Sequence, residues 1–266
     1  MGSRFEVSSA GGVARLRMTW PEGRNAIDPL WVKELGAALE AVEADTARPG
    51  DGARALLITA DGPAFTVGGD MGHFLAQAHR MADELDDMIG GYHPALARLA
   101  ALPIPVVCAV NGGVGGGGLG LLWCSDLVIA ADGARFATGF AALGLSGDGG
   151  STWFLPRLVG LRRAREMVLL NRALTAAEAL DWGLINRVVA PGELAGAAEE
   201  IAAQLAAGPT VAYGEMRRLL ARSFGVDFDD QLRAELAAIV RCGATDDARE
   251  GVTAFNERRP PKFTGR

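Results

Sequence analysis

The chain has 266 residues, enough for one large domain or two small ones, and its hydrophobic content of 49% supplies ample material for a core. A formal net charge of −6 with no basic block argues against a general nucleic-acid or anionic-membrane surface. The three cysteines are widely spaced, which predicts reduced thiols in the core of a cytoplasmic protein. No apolar run approaches the roughly 20 residues needed to cross a bilayer.

Strands and helices are predicted to alternate over the first 190 residues, and helices alone fill the remainder. The first helix begins after Asp28-Pro29, an N-cap followed by a first-turn proline, and runs to about residue 43. The second helix spans 71–101, with breaks expected near Gly90-Gly91 and at Pro94. The predicted strands are 13–19, 55–60, 105–110, 126–131, 134–138 and 185–190, and the later helices are 158–170, 175–182, 193–206, 210–223, 227–241 and 246–258.

The last helices carry apolar side chains that little remaining chain can cover. This arrangement predicts an α/β core followed by a helical region. Folding back onto the chain's own core is one way to bury these side chains, and contact between subunits, which we favour, is the other. The side chains are Leu219, Leu220, Phe224, Leu232, Leu236, Ile239 and Val240.

Seven of the ten residues in NGGVGGGGLG, at 111–120, are glycines, and the run directly follows a predicted strand. Because glycine loses much conformational entropy on folding, such a cluster requires a backbone reason. Gly113, Gly115 and Gly118 satisfy the dinucleotide-binding pattern G-x-G-x-x-G. The match is weak, since residues 119–125 leave room for a helix of only roughly 10 Å before the next strand, and the lysine of a phosphate-binding loop is missing.

A backbone oxyanion hole is the stronger interpretation of these glycines. Unpaired amides and the positive end of the helix dipole favour an anion at a helix start. The segment AFTVGGDM, at 64–71, repeats the arrangement of strand, glycine pair and helix start. Two such corners converging on one carbonyl would supply two donors to a developing oxyanion, although each glycine pair taken alone is more typical of a tight turn.

Six stretches, in order along nearly the whole chain, resemble the crotonase superfamily, the enoyl-CoA hydratase/isomerase group of acyl-CoA enzymes. They are RNAID at 24–28, AFTVGGDM at 64–71, LPIPVVCAVNGGVGGGGLGL at 102–121, SDLVIAADGARF at 125–136, LGLSGDGGSTWFLPRLVG at 143–160 and AAEALDWGLINRVV at 176–189. The resemblance implies an α/β fold in which ββα units form a spiral core over 1–200. It also implies that C-terminal helices, over 201–266, build a homotrimer or a hexamer and cover coenzyme A.

By the same resemblance the site binds an acyl-CoA thioester, whose carbonyl would lie between the amides of Gly69 and Gly117. Coenzyme A would enter as part of the substrate, with no prosthetic group and no metal. The residues that match its binding positions are Ala26, Ala64, Asp70 and Met71 near the adenine, and Phe255 and Arg258 in the C-terminal segment AFNERRPP. Arg258 is equally consistent with a solvated surface side chain.

The chain departs from the hydratases of this family, which use two glutamates to activate water and to protonate carbon. The matching positions hold Gly120 and Phe140, and neither can transfer a proton. What remains is Asp148 in SGDGGSTW, at a position where isomerase-like and dehalogenase-like members carry a catalytic aspartate. Asp148 is also placed to serve as an N-cap for the following helix.

A histidine, His93 in YHPALARL, matches the general base of 4-chlorobenzoyl-CoA dehalogenase, and Asp148 matches that enzyme's nucleophile. Phe140 keeps an aromatic residue where the dehalogenase has a tryptophan, whereas Gly69 departs from its phenylalanine. His93 is alternatively a simple helix-start residue.

Three functions therefore stay open. The first is an acyl-CoA isomerase in which Asp148 shuttles a proton, and the second is an aryl-CoA dehalogenase in which Asp148 attacks the ring and His93 activates water. The third is a non-catalytic acyl-CoA binder.

The remaining histidines and most of the tryptophans are predicted to be structural. His73 and His79 lack a third metal-ligand partner and are expected on the surface or in loops. The tryptophans expected in the core are Trp31, Trp123, Trp153 and Trp182.

Overall fold

The strands of the computed structural model, which describes residues 3–48 and 50–266, belong to two sheets. In chain order they are β1 (Phe5–Ala10), β2 (Val13–Met18), β3 (Ala55–Ala60), β4 (Ala64–Thr66), β5 (Val106–Val110), β6 (Gly113–Gly115), β7 (Leu127–Ala131), β8 (Arg135–Ala137), β9 (Leu174–Thr175) and β10 (Arg187–Val189). The larger sheet has the order β1-β2-β3-β5-β7-β10, and the smaller has the order β4-β6-β8-β9.

The helices surround these sheets and then continue alone to the C-terminus. They are α1 (Pro29–Thr46), α2 (Met71–Ala76), α3 (Met81–Ala101), α4 (Leu119–Trp123), α5 (Ser151–Val159), α6 (Leu161–Leu169), α7 (Ala176–Asp181), α8 (Leu194–Ala206), α9 (Thr210–Arg222), α10 (Phe228–Gly243) and α11 (Asp246–Glu257). Within the described ranges, none of them is long and apolar enough to cross a membrane.

Successive pairs of strands divide between the two sheets. In each of the pairs β3/β4, β5/β6 and β7/β8, the first strand joins the larger sheet, the second joins the smaller sheet, and helical structure follows. The neighbouring strands β2, β3, β5, β7 and β10 are all parallel. This repeat is the predicted spiral of ββα units, followed by the predicted C-terminal helices.

The central strand β5 shows how the core is divided. All five of its residues are buried. Val106, Cys108 and Val110 face the cluster that contains α1 and α3, whereas Val107 and Ala109 face the cluster beneath α8. Side chains alternate across a strand, so a parallel strand covered on both faces reads as a continuous apolar run, which is the signal that predicted it.

Two helical predictions are wrong in their breaks. Residues 71–101 divide at a short 3-10 turn, Ala78–Arg80, and α3 continues through Gly90-Gly91 and Pro94. The buried face of α3 includes Met88, Tyr92 and Leu96. Its packing outweighs the weak helix propensity of the two glycines and the proline. The helix predicted at 158–170 instead begins at Ser151 and is split by Gly160, whose φ is +80°.

Other differences concern short or exposed elements. Strand β1 was not predicted, because four of its six residues are exposed and it is defined by its antiparallel pairing with β2. The short strands β6 and β9 also carry too few residues for a periodic signal, whereas β4 is the strand expected at the start of AFTVGGDM. Trp31, Trp123 and Trp182 are buried as predicted, but the prediction for Trp153 is wrong, since it is 42% exposed and stacks under Arg157.

The C-terminal helices leave a large apolar surface uncovered in the single chain. The exposed large apolar side chains on α9, α10 and α11 and their connections are Val211, Met216, Leu220, Phe224, Phe228, Leu232, Leu236, Ile239, Val240, Val252 and Phe255. We call this set the C-terminal apolar face. Of the side chains predicted to need a cover, Leu219 is half-buried and the chain's own core leaves the others exposed.

Candidate active site

Most of the predicted site residues line one cavity of about 990 Å³. Its walls come from the segment 20–27, from α3, from the corner after β4, from the corner after β6 and from the segment 137–148. Gly69, Gly117, His93 and Asp148 all line it. Residues that are up to 79 positions apart in the sequence therefore share one solvent-connected space.

The first corner follows β4, and Gly69 forms an isolated parallel bridge with Ile27. The bridge uses the groups on either side of Gly69: the Ile27 amide donates to the Gly68 carbonyl at 2.8 Å, and the Asp70 amide donates to the Ile27 carbonyl at 3.0 Å. The amide of Gly69 itself takes no part in these bonds. A Cβ at position 69 would lie 2.5 Å from the ring of Phe74, so a side chain there would have to displace that ring.

The second corner follows β6 as a 3-10 turn, Gly116–Gly118, which leads into α4. The first amides of a helical turn have no acceptor within the turn. In the described ranges, neither Gly69 nor Gly117 donates a loop or turn hydrogen bond to another backbone carbonyl. The two amides are therefore not capped by main-chain carbonyls of the loops.

The two corners touch through their backbones. Strand β4 pairs with β6. A Cβ at Gly68 would lie 2.6 Å from the carbonyl oxygen of Gly115, and a Cβ at Gly115 would lie 2.7 Å from the carbonyl oxygen of Val67. Glycine is required here because the main chains approach too closely for side chains. The two glycine corners therefore lie side by side, and the convergence of their amides on one carbonyl oxygen stays a prediction.

Asp148 lies beside the second corner. Its Oδ1 atom is 2.6 Å from Nε2 of His93, and a Cβ on Gly117 would be 3.2 Å from its Oδ2 atom. The Asp148 side chain is 18% exposed and that of His93 is 54% exposed. The carboxylate thus faces the cavity with one oxygen held by an imidazole and the other close to the Gly117 turn.

Two structural alternatives from the sequence are wrong. The N-cap of α5 is Gly150, which makes no side-chain cap, and Asp148 contributes only its carbonyl, which accepts from the Ser151 amide at 3.1 Å. The left-handed backbone of Gly149 and Gly150, with φ of +61° and +79°, separates the Asp148 side chain from the helix end. His93 is not a helix-start residue either, because α3 begins twelve positions earlier, at Met81.

Tyr92, which the sequence analysis missed, is the buried neighbour of His93. Its hydroxyl donates to the Gly117 carbonyl at 2.8 Å, and its ring meets Trp31 edge-on at 5.8 Å. Burial, with smaller contributions from Cys124 and Asp148, raises the pKa of Tyr92 well above its ordinary value. The spacing of Met88, Tyr92 and Leu96 marks the buried face of α3, so this signal was present in the sequence.

The position that matches the first hydratase glutamate has no room for a side chain. A Cβ on Gly120 would lie 2.7 Å from Cδ1 of Leu96, and 2.9 Å from both the Gly149 carbonyl oxygen and the Tyr92 hydroxyl. Phe140, at the second position, is buried and lines the cavity. Neither position presents a group that can move a proton.

The predicted coenzyme A residues divide into two groups. Ala26, Asp70 and Met71 line the cavity, and the Asp70 carboxylate caps α2 by accepting from the His73 amide at 3.0 Å. Ala64 does not line it, because its side chain is buried in β4.

The C-terminal candidates lie elsewhere in the single chain. Phe255 is 84% exposed near the end of α11, Arg258 is exposed just beyond that end, and neither lines the cavity. His79 is exposed as predicted, whereas His73 is half-buried in α2 and pairs with Glu84 at 2.6 Å. In residues 3–48 and 50–266, no group of three His, Cys, Asp or Glu side chains is arranged to hold a metal ion.

A family model described as enoyl-CoA hydratase/isomerase matches residues 8–266. The chain belongs to this family. The match confirms the resemblance to the crotonase superfamily, and it covers both corners and every site candidate named above.

Three known members of the family illustrate its range. The chain is 38% identical to the 1,2-epoxyphenylacetyl-CoA isomerase of Escherichia coli (strain K12), over 96% of each chain. It is 35% identical to 4-chlorobenzoyl coenzyme A dehalogenase-2 of Arthrobacter sp, over 77% of this chain and 73% of the dehalogenase. The crystal structure of an enoyl-CoA hydratase from Polaromonas sp. JS666 superposes with a TM-score of 0.90 at 29% identity, covering 97% of this chain and 99% of that one.

Proposed function

We propose that this enoyl-CoA hydratase/isomerase family member is an acyl-CoA isomerase that shuttles a proton through a thioester enolate. The observation that carries the proposal is the placement of one carboxylate, Asp148, beside the Gly117 turn in the cavity that Gly69 also lines. The two hydratase positions, Gly120 and Phe140, hold no acid or base. One carboxylate is enough to take a proton from one carbon and return it to another.

In the proposed mechanism the amides of Gly69 and Gly117 donate to the thioester oxygen. Asp148 removes a proton from the carbon next to the thioester, and the electron pair moves into the carbonyl to form an enolate. The amides bind this oxyanion more strongly than the neutral carbonyl, and each such donor is worth about 10²- to 10³-fold in rate. The protonated Asp148 then returns the proton to a different carbon as the double bond re-forms, so the carboxylate is regenerated.

The rest of the cavity supports an acyl-CoA substrate. Leu85, Met88 and Ile89 present one face of α3 to it, and an apolar wall of this kind suits an acyl group. Ala26 and Met71 line the same cavity beside the Gly69 corner. In this proposal coenzyme A enters as part of the substrate, and no step requires a prosthetic group.

An aryl-CoA dehalogenase is the second candidate, and the 2.6 Å contact between His93 and Asp148 favours it. A 35% identical relative is named as a 4-chlorobenzoyl coenzyme A dehalogenase. In such a reaction the Asp148 carboxylate would attack the ring carbon that bears the halogen, and halide would leave with its electron pair. Water deprotonated by His93 would then cleave the aryl ester and restore the carboxylate.

Replacing His93 by Gln separates the two candidates. For an isomerase, we expect both wild type and His93→Gln to exchange the α-protons of phenylacetyl-CoA with D2O, at rates within about tenfold of each other, because Asp148 is the base in both. Phenylacetyl-CoA is a suitable probe because its thioester and its ring both acidify those protons. The measurement is deuterium incorporation by mass spectrometry of the recovered thioester.

The same two proteins are then incubated with 4-chlorobenzoyl-CoA. A dehalogenase would release chloride in the wild type and accumulate an aryl ester on Asp148 in His93→Gln, visible as a mass increase of the intact protein. An adduct would replace the isomerase proposal with the dehalogenase. No deuterium incorporation and no adduct would contradict both candidates.

We also propose that the protein assembles as a homotrimer, or as a hexamer of two trimers, through the C-terminal apolar face. The exposure of Leu236 and Ile239, at 64% and 69%, supports this assembly, since apolar surface of this extent is typical of subunit contacts. Sedimentation at micromolar concentration is expected to give a trimer or hexamer, and Ile239→Asp is expected to shift it to monomer. A monomeric wild type would refute the assembly.

A further inference from the structure

We infer that Tyr92 is a positioning residue that fixes the Gly117 turn from within the core, so that the amide of Gly117 is held for the thioester oxygen. The inference rests on the proposed function, because it assigns a role to Tyr92 in the oxyanion hole of that same cavity. Its basis is the hydrogen bond from the Tyr92 hydroxyl to the Gly117 carbonyl at 2.8 Å.

The turn needs such a restraint because it has no side chains of its own. Residues 116–118 are all glycine, and Gly116 has a φ of +50°. Without Cβ atoms, a peptide in this turn can rotate at little steric cost. A donor that holds the Gly117 carbonyl restricts the ψ angle of Gly117, and with it the orientation of the turn.

Tyr92 is itself held rigidly. Its side chain is only 2% exposed, and its ring contacts Trp31, which is fully buried and packs against Phe5 with ring centroids 5.0 Å apart. The hydroxyl therefore extends from an aromatic cluster in the core to the floor of the cavity. Because burial raises the pKa of Tyr92, the hydroxyl stays protonated and keeps donating at neutral and mildly alkaline pH.

The Gly117 carbonyl that Tyr92 binds lies against the segment that carries Asp148. A Cβ on Gly149 would lie 2.9 Å from the Gly117 carbonyl oxygen that Tyr92 binds, and a Cβ on Gly120 would lie 2.9 Å from the hydroxyl. The next residue of α3, His93, binds the Asp148 carboxylate. Adjacent positions of one helix thus hold both the proposed oxyanion donor and the proposed base.

The test compares Tyr92→Phe with Tyr213→Phe. Phenylalanine at position 92 keeps the ring packing and removes only the hydroxyl. Tyr213, the other tyrosine of the chain, lies on α9 and does not line the cavity, so its variant controls for loss of a phenol. Each protein is assayed for exchange of the α-protons of phenylacetyl-CoA in D2O, for KM and for thermal midpoint. The infrared stretch of a ¹³C-labelled thioester carbonyl is recorded in the bound ligand.

For Tyr92→Phe we expect kcat for exchange to fall at least about tenfold while KM changes less than about twofold. The carbonyl stretch of the bound thioester should move to lower frequency in the wild type and in Tyr213→Phe, and by less in Tyr92→Phe, because a less well oriented amide polarises the carbonyl less. This split between kcat and KM, with its spectroscopic counterpart, is not expected of a residue that only supports the fold.

Three outcomes would overturn the inference. One is an unchanged kcat and an unchanged carbonyl shift in Tyr92→Phe. The second is a loss of ligand binding that matches the loss of kcat, which would assign Tyr92 to substrate binding. The third is a variant that does not fold, which would assign Tyr92 to stability. If the wild type itself neither exchanges protons nor shifts the carbonyl, the proposed function fails rather than the role of Tyr92.

Discussion

Asp148→Asn is expected to lower the rate of α-proton exchange in phenylacetyl-CoA by about a thousandfold, within the range of a lost general base. Asparagine has nearly the same shape but no basic oxygen. The α5 helix should be unaffected, because its N-cap is Gly150 and the Asp148 side chain makes no cap. The expected signature is therefore a large fall in kcat with the thermal midpoint and the Kd for the thioester nearly unchanged.

Asp132→Asn is a matched control, since Asp132 is exposed in the turn between β7 and β8 and does not line the cavity. It should exchange protons at the wild-type rate. The measurement is single-turnover deuterium incorporation at saturating phenylacetyl-CoA, together with calorimetric binding. If Asp148→Asn matches the wild type in every assay while both bind the thioester, the protein is an acyl-CoA binder without this chemistry.

The sequence predicted the buried strands and the two glycine corners because both depend on local patterns. A continuous apolar run marks β5, and a glycine pair between a strand and a helix start marks the corner at Gly69. The backbone contact between Gly68 and Gly115 explains the glycines physically. The resemblance supplied the expected role of Asp148, and the fold brings Asp148 to the Gly117 turn across 31 positions of sequence.

What the sequence did not predict depends on contacts between distant elements. The hydrogen bond from Tyr92 to Gly117 requires the register of α3 against the turn, which no pattern in either segment contains. Helix α3 continues through Pro94 because of tertiary packing, which propensity rules do not include. Phe255 and Arg258 lie outside the cavity, so their contact with coenzyme A stays a prediction.

A side chain at Gly120, the position that matches a hydratase glutamate, is expected to lower the stability of the protein strongly. Gly120→Glu is expected to destabilise the protein by about 4 kcal/mol or more, because the new side chain must displace Leu96 and the Tyr92 hydroxyl and would bury a carboxylate without a partner. Hydration of an enoyl-CoA should not appear. Gly120→Ala is expected to cost about 1–3 kcal/mol by overpacking alone.

Gly90→Ala is the control for both variants, since Gly90 is an exposed helical glycine of α3 whose added Cβ would meet no atom within 4 Å. This substitution should stabilise the protein by about 0.5–1 kcal/mol, so the sign of the Gly-to-Ala effect reverses between the two positions. Urea unfolding of the three variants measures the differences. If the Gly120→Glu protein has wild-type stability, α3 and the backbone at Gly149 can separate to admit the side chain. If it hydrates crotonyl-CoA, only this carboxylate distinguishes the site from that of a hydratase.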